Sequence, residues 1–415
     1  MSEPVPFPNR SNTPVELRMR VEEAFTPTFP VTRRDLFAGR AVALQQMLDL
    51  VEQPGRHAVV FGESGTGKTS LATLVPAFFA GPIGALHVTA IAGDTFDTLW
   101  RRAADAVRAT LRRAERGIAS STFPGDTATA LAGAEHVSDA AALELVARLS
   151  SSGPAWIVFD ALHQVTDPDT RRRLRALAEA TETHAPQATL VFAGTATSGD
   201  ALLEPSAALA PVQVTRLSNE ETIELVLRGL RRASLDAEDV VVERIATLAN
   251  GLPGAAQALA RAAALAAGAS GIGSEHLETA VGALLDAAPV SVSEAYEQAT
   301  VRARRGIYPE ILLASALSPR DAFGTFSVAD VCATVTRIVR REVRGLTNQV
   351  SALTEAGRGS VLDKQGAAKS ARYRFVDPSL EPYILMRGLE EGWMTHATPS
   401  WLPGLPDSTD LPKAA

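Results

Sequence analysis

Eight consecutive residues constrain this 415-residue chain more than any other stretch: Gly62, Glu63, Ser64, Gly65, Thr66, Gly67, Lys68 and Thr69. They fit the phosphate-loop pattern G-x-x-x-x-G-K-[ST], which needs a strand before it and a helix after it. Both are predicted here. His57 to Phe61 is a short apolar run, and a helix is expected from near Thr69, with Ser70 in its first turn. The glycines let the backbone curl until several N–H groups face one centre, and the helix adds its positive dipole end. Lys68 can reach the outer phosphates as a point charge, and the Thr69 hydroxyl suits a magnesium ion. Lysine usage supports a special role: Lys68, Lys364, Lys369 and Lys413 are the only lysines among 40 basic residues. The compact ammonium persists at Lys68 while arginine serves elsewhere, and the two are not interchangeable at phosphate sites.

Further strands are predicted at 86–91, 155–159, 188–193 and 212–214, alternating with helices at 36–51, 95–113, 140–149 and 170–181. Such alternation predicts a parallel sheet covered on both faces. Residues 114–137, rich in small residues, read as a flexible loop. A phosphate loop also needs a carboxylate on a neighbouring strand to hold the metal through water. The run Trp156 to Phe159 ends in Asp160, which supplies it. The next residue, where an acid orienting the attacking water is often found, is Ala161. Glu63, His163, Asp167 and Asp169 are the candidate replacements, and none stands out.

Hydrophobic residues make up 46% and charged residues 21%, which excludes a disordered chain or a coiled-coil rod. The single cysteine, Cys332, excludes a disulfide framework and a cysteine-based zinc site. No signal pattern or membrane-span pattern is found, so a cytoplasmic location is expected. Net charge is −7, which argues against nucleic-acid binding over the whole surface. The predicted domains are an N-terminal arm (1–34), an α/β core (35–216), a helical lid (217–288), a unit of helices and a β-hairpin (289–395), and a flexible tail (396–415). Helices are predicted at 219–231, 237–250, 253–267 and 274–285, then at 292–304, 309–317, 327–339 and 343–356. Short strands at 360–363 and 372–376 follow, the order of a winged helix. From Arg337 to Arg374 nine basic residues face three acids, a local balance of +6. Arg337, Arg340, Arg341, Arg344, Lys364, Lys369 and Arg372 are therefore candidate duplex contacts, set against a reading of this unit as a packing module.

Taken together, these residues resemble AAA+ ATPases of the origin-recognition-like group and the related signal-transduction ATPases called STAND. The resemblance spans roughly residues 24–395. Phe37, Ala38, Gly39 and Arg40 look like the short motif that frames the adenine in that group. Leu190 to Thr195 looks like the sensor-bearing strand, with Thr195 as the residue that touches the γ-phosphate. Gly251, Leu252 and Pro253 look like the G-x-P element of STAND lids, whose proline lies against the nucleotide. Gly254 stands where origin-type members usually carry arginine. No arginine or lysine occurs from Gln187 to Thr215, where ring-forming motors place a trans-acting finger. The run Arg171, Arg172, Arg173 and Arg175 reads most simply as a solvated helix face.

The resemblance implies ATP and Mg²⁺ between core and lid. Lys68, Asp160 and Thr195 would be catalytic, with Thr69 and Asp160 on the metal. Gly39, Arg40, Pro253 and the residues from Gly62 to Ser70 would bind the nucleotide. The leading expectation is a nucleotide-dependent regulatory switch with slow hydrolysis, an unidentified protein partner and output through the winged helix. The alternative is an ATP-dependent DNA-binding initiator, loader or transposition-type adaptor. A metabolic kinase fits poorly, since no acceptor site is found. Homo-oligomerisation is left open.

Overall fold

The computed structural model describes residues 13–79, 83–115, 125–300, 307–341, 343–366 and 370–393. The expected flexible tail, Lys369 and Lys413 lie outside them. The chain divides into two compact units, Pro30–Arg216 and Met1–Phe29 with Leu217–Ala415.

The described part of the N-terminal arm contains α1 (Pro14–Ala24). Proline content suggested an arm, but Pro14 sits at the first helical position, where its missing N–H costs nothing. Thr13 and Glu16 cap the helix reciprocally.

The unit Pro30–Arg216 holds α2 (Ala41–Val51), β1 (His57–Gly62), α3 (Lys68–Leu74), β2 (Gly84–Thr89), α4 (Phe96–Glu115), α5 (Gly125–Ala132), α6 (Asp139–Leu149), β3 (Ala155–Asp160), α7 (Pro168–His184), β4 (Ala188–Thr195) and β5 (Leu209–Gln213). The strands form one sheet in the order β2-β3-β4-β1-β5, with every pairing parallel. Alternate strand residues feed two cores. Val59, Phe61, Ile157, Phe159, Leu190 and Phe192 join Trp100 on one face. Ala58, Val60, Trp156, Val158, Val191 and Ala193 join Met47 and Leu71 on the other. Burial on both faces is why the strands read as continuous apolar runs.

Several boundaries differ from expectation. Residues 36–51 are not one helix, because Gly39 and Arg40 are left-handed (φ 69° and 56°) and α2 starts only at Ala41. The presumed flexible loop contains α5, which forms because Ala128 and Leu131 are buried in the core with α4. Helix α7 starts at Pro168, earlier than expected, because Asp167 caps it. Strand β5 starts at Leu209 and includes Pro211, tolerated because β5 is an edge strand paired only with β1.

The other unit adds α8 (Asn219–Ala233), α9 (Asp239–Ala249), α10 (Pro253–Ala267), α11 (Ser274–Asp286), α12 (Val290–Thr300), α13 (Tyr308–Leu317), β6 (Phe326–Ser327), α14 (Val328–Val339), α15 (Leu346–Ala352), β7 (Leu362–Gln365), β8 (Arg372–Phe375) and α16 (Leu380–Glu390). Strands β6, β8 and β7 form an antiparallel sheet in that order. The helix expected at 343–356 is shorter, since left-handed Gly345 (φ 72°) delays its start and the chain tightens into a 3-10 turn at Ala356–Arg358. The first hairpin strand lies two residues later than expected. α1 packs on α8 and α10, and α16 packs on α9, α11, α12 and α13. Among the described residues no helix is long and apolar enough to cross a membrane.

Candidate functional site

The phosphate loop runs from the end of β1 to the start of α3. Gly67 is left-handed (φ 87°) and turns the chain into α3, so Lys68 becomes the first helical residue. The Thr66 hydroxyl donates to the Glu63 carbonyl at 2.8 Å, closing the loop on itself. The Lys68 ammonium donates to the same carbonyl at 2.6 Å. Burial pushes the Lys68 pKa down to about 8; the Asp160 and Glu63 carboxylates pull it up, and Arg40 pushes it down.

Asp160 ends β3. It was expected on a strand beside the loop's strand, but β4 intervenes between β1 and β3. The carboxylate nevertheless reaches the loop: the Thr69 hydroxyl donates to Asp160 Oδ2 at 2.6 Å. Trp156 holds this register, its indole N–H donating to the Ala72 carbonyl of α3 at 2.7 Å. Burial pushes the Asp160 carboxyl up, but hydrogen bonds from His87, Thr69 and the Ala161 N–H outweigh it and hold the pKa below the usual range. His87 Nε2 lies 3.6 Å from Asp160 Oδ2. Sequence reasoning missed His87, because its nearness to Asp160 depends on the pairing of β2 with β3.

Thr195 ends β4 opposite Gly62. Its N–H donates to His163 Nδ1 at 3.2 Å. Burial, then the Lys68 charge, lowers the His163 pKa, with Asp160 opposing. Of the four candidate substitutes for the missing acid, only His163 stands beside Thr195. Glu63 is gripped by Arg216 through two bonds of 2.7 Å. Asp167 caps α7, and Asp169 is paired with Arg172. Ala161 is left-handed (φ 55°), turning the chain away directly after Asp160.

Arg40 donates to the Thr66 carbonyl, and its guanidinium covers Gly67, where a Cβ would lie 3.3 Å from Nη2. Gly39 supplies the preceding left-handed turn. Ser70 Oγ accepts the Val31 N–H at 3.2 Å. The loop residues, Arg40, Thr195 and Asp160 thus gather at one end of the sheet. Pro253 belongs to the helical unit, where it opens α10.

Of the arginine run on α7 only Arg172 is on a solvated face, exposed and paired with Asp169 of its own helix. Arg171 donates to the Val165 and Ala201 carbonyls. Arg173 binds Asp139 and the Val137 carbonyl, with its guanidinium 3.8 Å from the Phe96 ring centre. Arg175 lies 3.5 Å from Glu204. These side chains clasp neighbouring loops.

Among the basic residues of the predicted unit 289–395, Arg372 is committed to Asp321 and Thr325, and Arg374 to Asp363. Arg337, Arg340, Arg341, Arg344 and Lys364 are exposed and make no hydrogen bond or ion pair among the described residues.

Residues 36–192 match the AAA ATPase domain family. The chain's parallel five-stranded sheet and phosphate loop are the P-loop AAA+ fold, as the sequence predicted. A Walker-type ATPase of Pyrococcus abyssi shares this fold at 15% identity and a TM-score of 0.52, covering 87% of this chain and 99% of its own. Two looser likenesses carry no weight here. Cdc6p from Pyrobaculum aerophilum has 16% identity, a TM-score of 0.44 and coverage of 90% and 98%. The ORC1 protein of Aeropyrum pernix, solved in complex with DNA, has 16% identity, a TM-score of 0.44 and coverage of 91% and 97%. No curated protein matches the sequence.

Proposed function

We propose that this AAA ATPase domain binds ATP with Mg²⁺ and serves as a slow, nucleotide-dependent regulatory switch. The observation that carries the reading is the 2.6 Å bond from Thr69 Oγ1 to Asp160 Oδ2, beside the Lys68 ammonium. A hydroxyl and a carboxylate meeting behind a phosphate loop are hard oxygen donors suited to Mg²⁺. When bound, the ion would offset the charge of the phosphates. Thr69 and Asp160 would hold it, Lys68 would hold the outer phosphates, and the Thr195 hydroxyl would be the γ-phosphate sensor. Arg40 shields one side of the loop from water. Slow turnover follows from Ala161, whose methyl group cannot orient an attacking water.

The test is nucleotide binding and turnover on the purified chain. Micromolar ATP binding, lost in Lys68→Ala, with turnover far below motor rates, supports the switch. Fast multiple turnover without any partner sinks it.

A second reading is favoured by five exposed cations: Arg337, Arg340, Arg341, Arg344 and Lys364. Arg337 lies on α14, Arg340, Arg341 and Arg344 between α14 and α15, and Lys364 on β7, and the order α13-β6-α14-α15-β7-β8 supports a winged helix. In that reading they neutralise duplex phosphates, and Thr347 and Asn348, exposed on α15, face the groove. Arg372 drops out, being committed to Asp321 and Thr325. A gel shift at low salt with no affinity tighter than about tens of micromolar would remove this reading, since even non-specific duplex binding reaches that range.

A further inference from the structure

The chain passes between its two compact units twice, after Phe29 and after Arg216. Within the α/β unit, the segments leading into both passages are fastened to the phosphate loop. The second is tied at three successive points. The Val214 N–H donates to the Phe61 carbonyl at 2.8 Å. Gly62 (φ 150°) has no side chain because a Cβ there would overlap the Val214 carbonyl oxygen. Arg216 then grips Glu63 with Nε and Nη2, each at 2.7 Å, with side-chain exposures of only 12% and 8%. The first passage is tied where the Val31 N–H donates to Ser70 Oγ.

Glu63 has two duties. Its carbonyl accepts from the Lys68 ammonium, and its carboxylate holds Arg216. An anionic phosphate is a stronger acceptor for an ammonium than a neutral carbonyl. Phosphate binding would therefore draw Lys68 off the Glu63 carbonyl, leaving it held by the Thr66 hydroxyl alone and easier to shift. The bidentate fork is geometrically specific, so a shift at Glu63 is carried to Arg216. A ligand moves an equilibrium only through such a differential contact.

We propose that Glu63 and Arg216 are positioning residues that transmit phosphate occupancy of the loop to the connecting segment Val214–Leu217. The proposal rests on the nucleotide reading above.

The experiment is amide hydrogen exchange on the full chain, with and without Mg²⁺ and a non-hydrolysable ATP analogue. Binding of the same analogue is measured separately by calorimetry. In the wild type, the analogue should change exchange in peptides covering 212–220 by about threefold or more, because local opening there depends on the tie. Arg216→Gln should bind the analogue with affinity within about fivefold of wild type but lose most of that exchange response. Arg216→Lys, which keeps the charge, should restore part of it. Glu63→Gln in the Arg216→Gln background should change the response no further, as expected for two members of one pair. If Arg216→Gln does not fold, Arg216→Lys against wild type still tests the fork, because a lone ammonium cannot make both bonds. A flat response in the wild type, or an undiminished one in Arg216→Gln, overturns the coupling while leaving the nucleotide reading intact. No binding by the wild type sinks the nucleotide reading and takes the coupling with it.

Discussion

Lys68, Thr69 and Asp160 combine as they do because three weak geometric facts coincide. A helix starts at the lysine, an indole pins that helix to β3, and β3 ends in a carboxylate. Replacing Lys68 with alanine removes the loop's own ammonium, and nucleotide affinity should fall by about tenfold or more, as for a lost charge-assisted contact. Titration calorimetry reads this directly. Asp160→Asn should keep binding in the absence of metal but lose the gain in affinity that Mg²⁺ brings. His57 carries a different prediction. Fully buried, it donates from Nε2 to the Ala178 carbonyl at 2.8 Å and accepts the Leu190 N–H at Nδ1. Burial pushes its pKa down to about 4 from the usual 6.5, although the Ala178 bond opposes this. Between those values the unfolded chain binds the extra proton, so stability is full above pH 6.5 and falls as pH drops toward 4. The total is roughly 3 kcal/mol. Urea unfolding at pH 7 and pH 4.5 should show the loss, and His57→Gln should reduce its pH dependence. At this scale the sequence made the loop legible, because its residues are contiguous. Asp160 was legible as the end of an apolar run. The Glu63–Arg216 fork and the His87–Asp160 approach were not, since both depend on strand pairing that no local pattern encodes.

Elements were read best where burial is two-sided or the cap is unambiguous, as in β1, β3 and α8 with its Ser218–Glu221 box. Errors arose where one signal masked another. Prolines hid the capping box of α1, and small residues hid α5. The consequence of α1 is a tight joint. The Phe25 ring lies where a side chain on Gly229 of α8 would go. Thr26 N–H donates to Gln257 Oε1 at 2.6 Å, and Arg261 pairs with Glu22. Gly229→Val should therefore expel the ring and cost about 1–3 kcal/mol, the usual overpacking penalty. Phe25→Ala should cost about 3–5 kcal/mol through the cavity it leaves. The double variant should cost less than the sum, because both changes break one contact. Denaturant midpoints for the three variants decide it. Additive costs would mean that the ring and the glycine do not meet in solution.

Each compact unit carries a closed core of its own. The α/β unit is built on the two faces of its sheet. The other unit contains a fully buried carboxylate, Glu381, at 0% exposure. Arg320 lies 2.8 Å from it, and Asn250, the left-handed residue ending α9, donates to it at 2.7 Å. A buried charge stripped of its ionic partner is strongly destabilising, by about 3–5 kcal/mol, because the low-dielectric interior cannot replace the lost cation. Two separate cores predict two calorimetric transitions rather than one. Nucleotide at about 100 times its Kd should raise only the α/β transition, by about 2.7 kcal/mol of stability. Arg320→Leu should lower only the other. If both perturbations move a single shared transition, the two units fold as one cooperative body. The phosphate loop would then communicate with the helical unit through global stability rather than through the chain segment at Arg216.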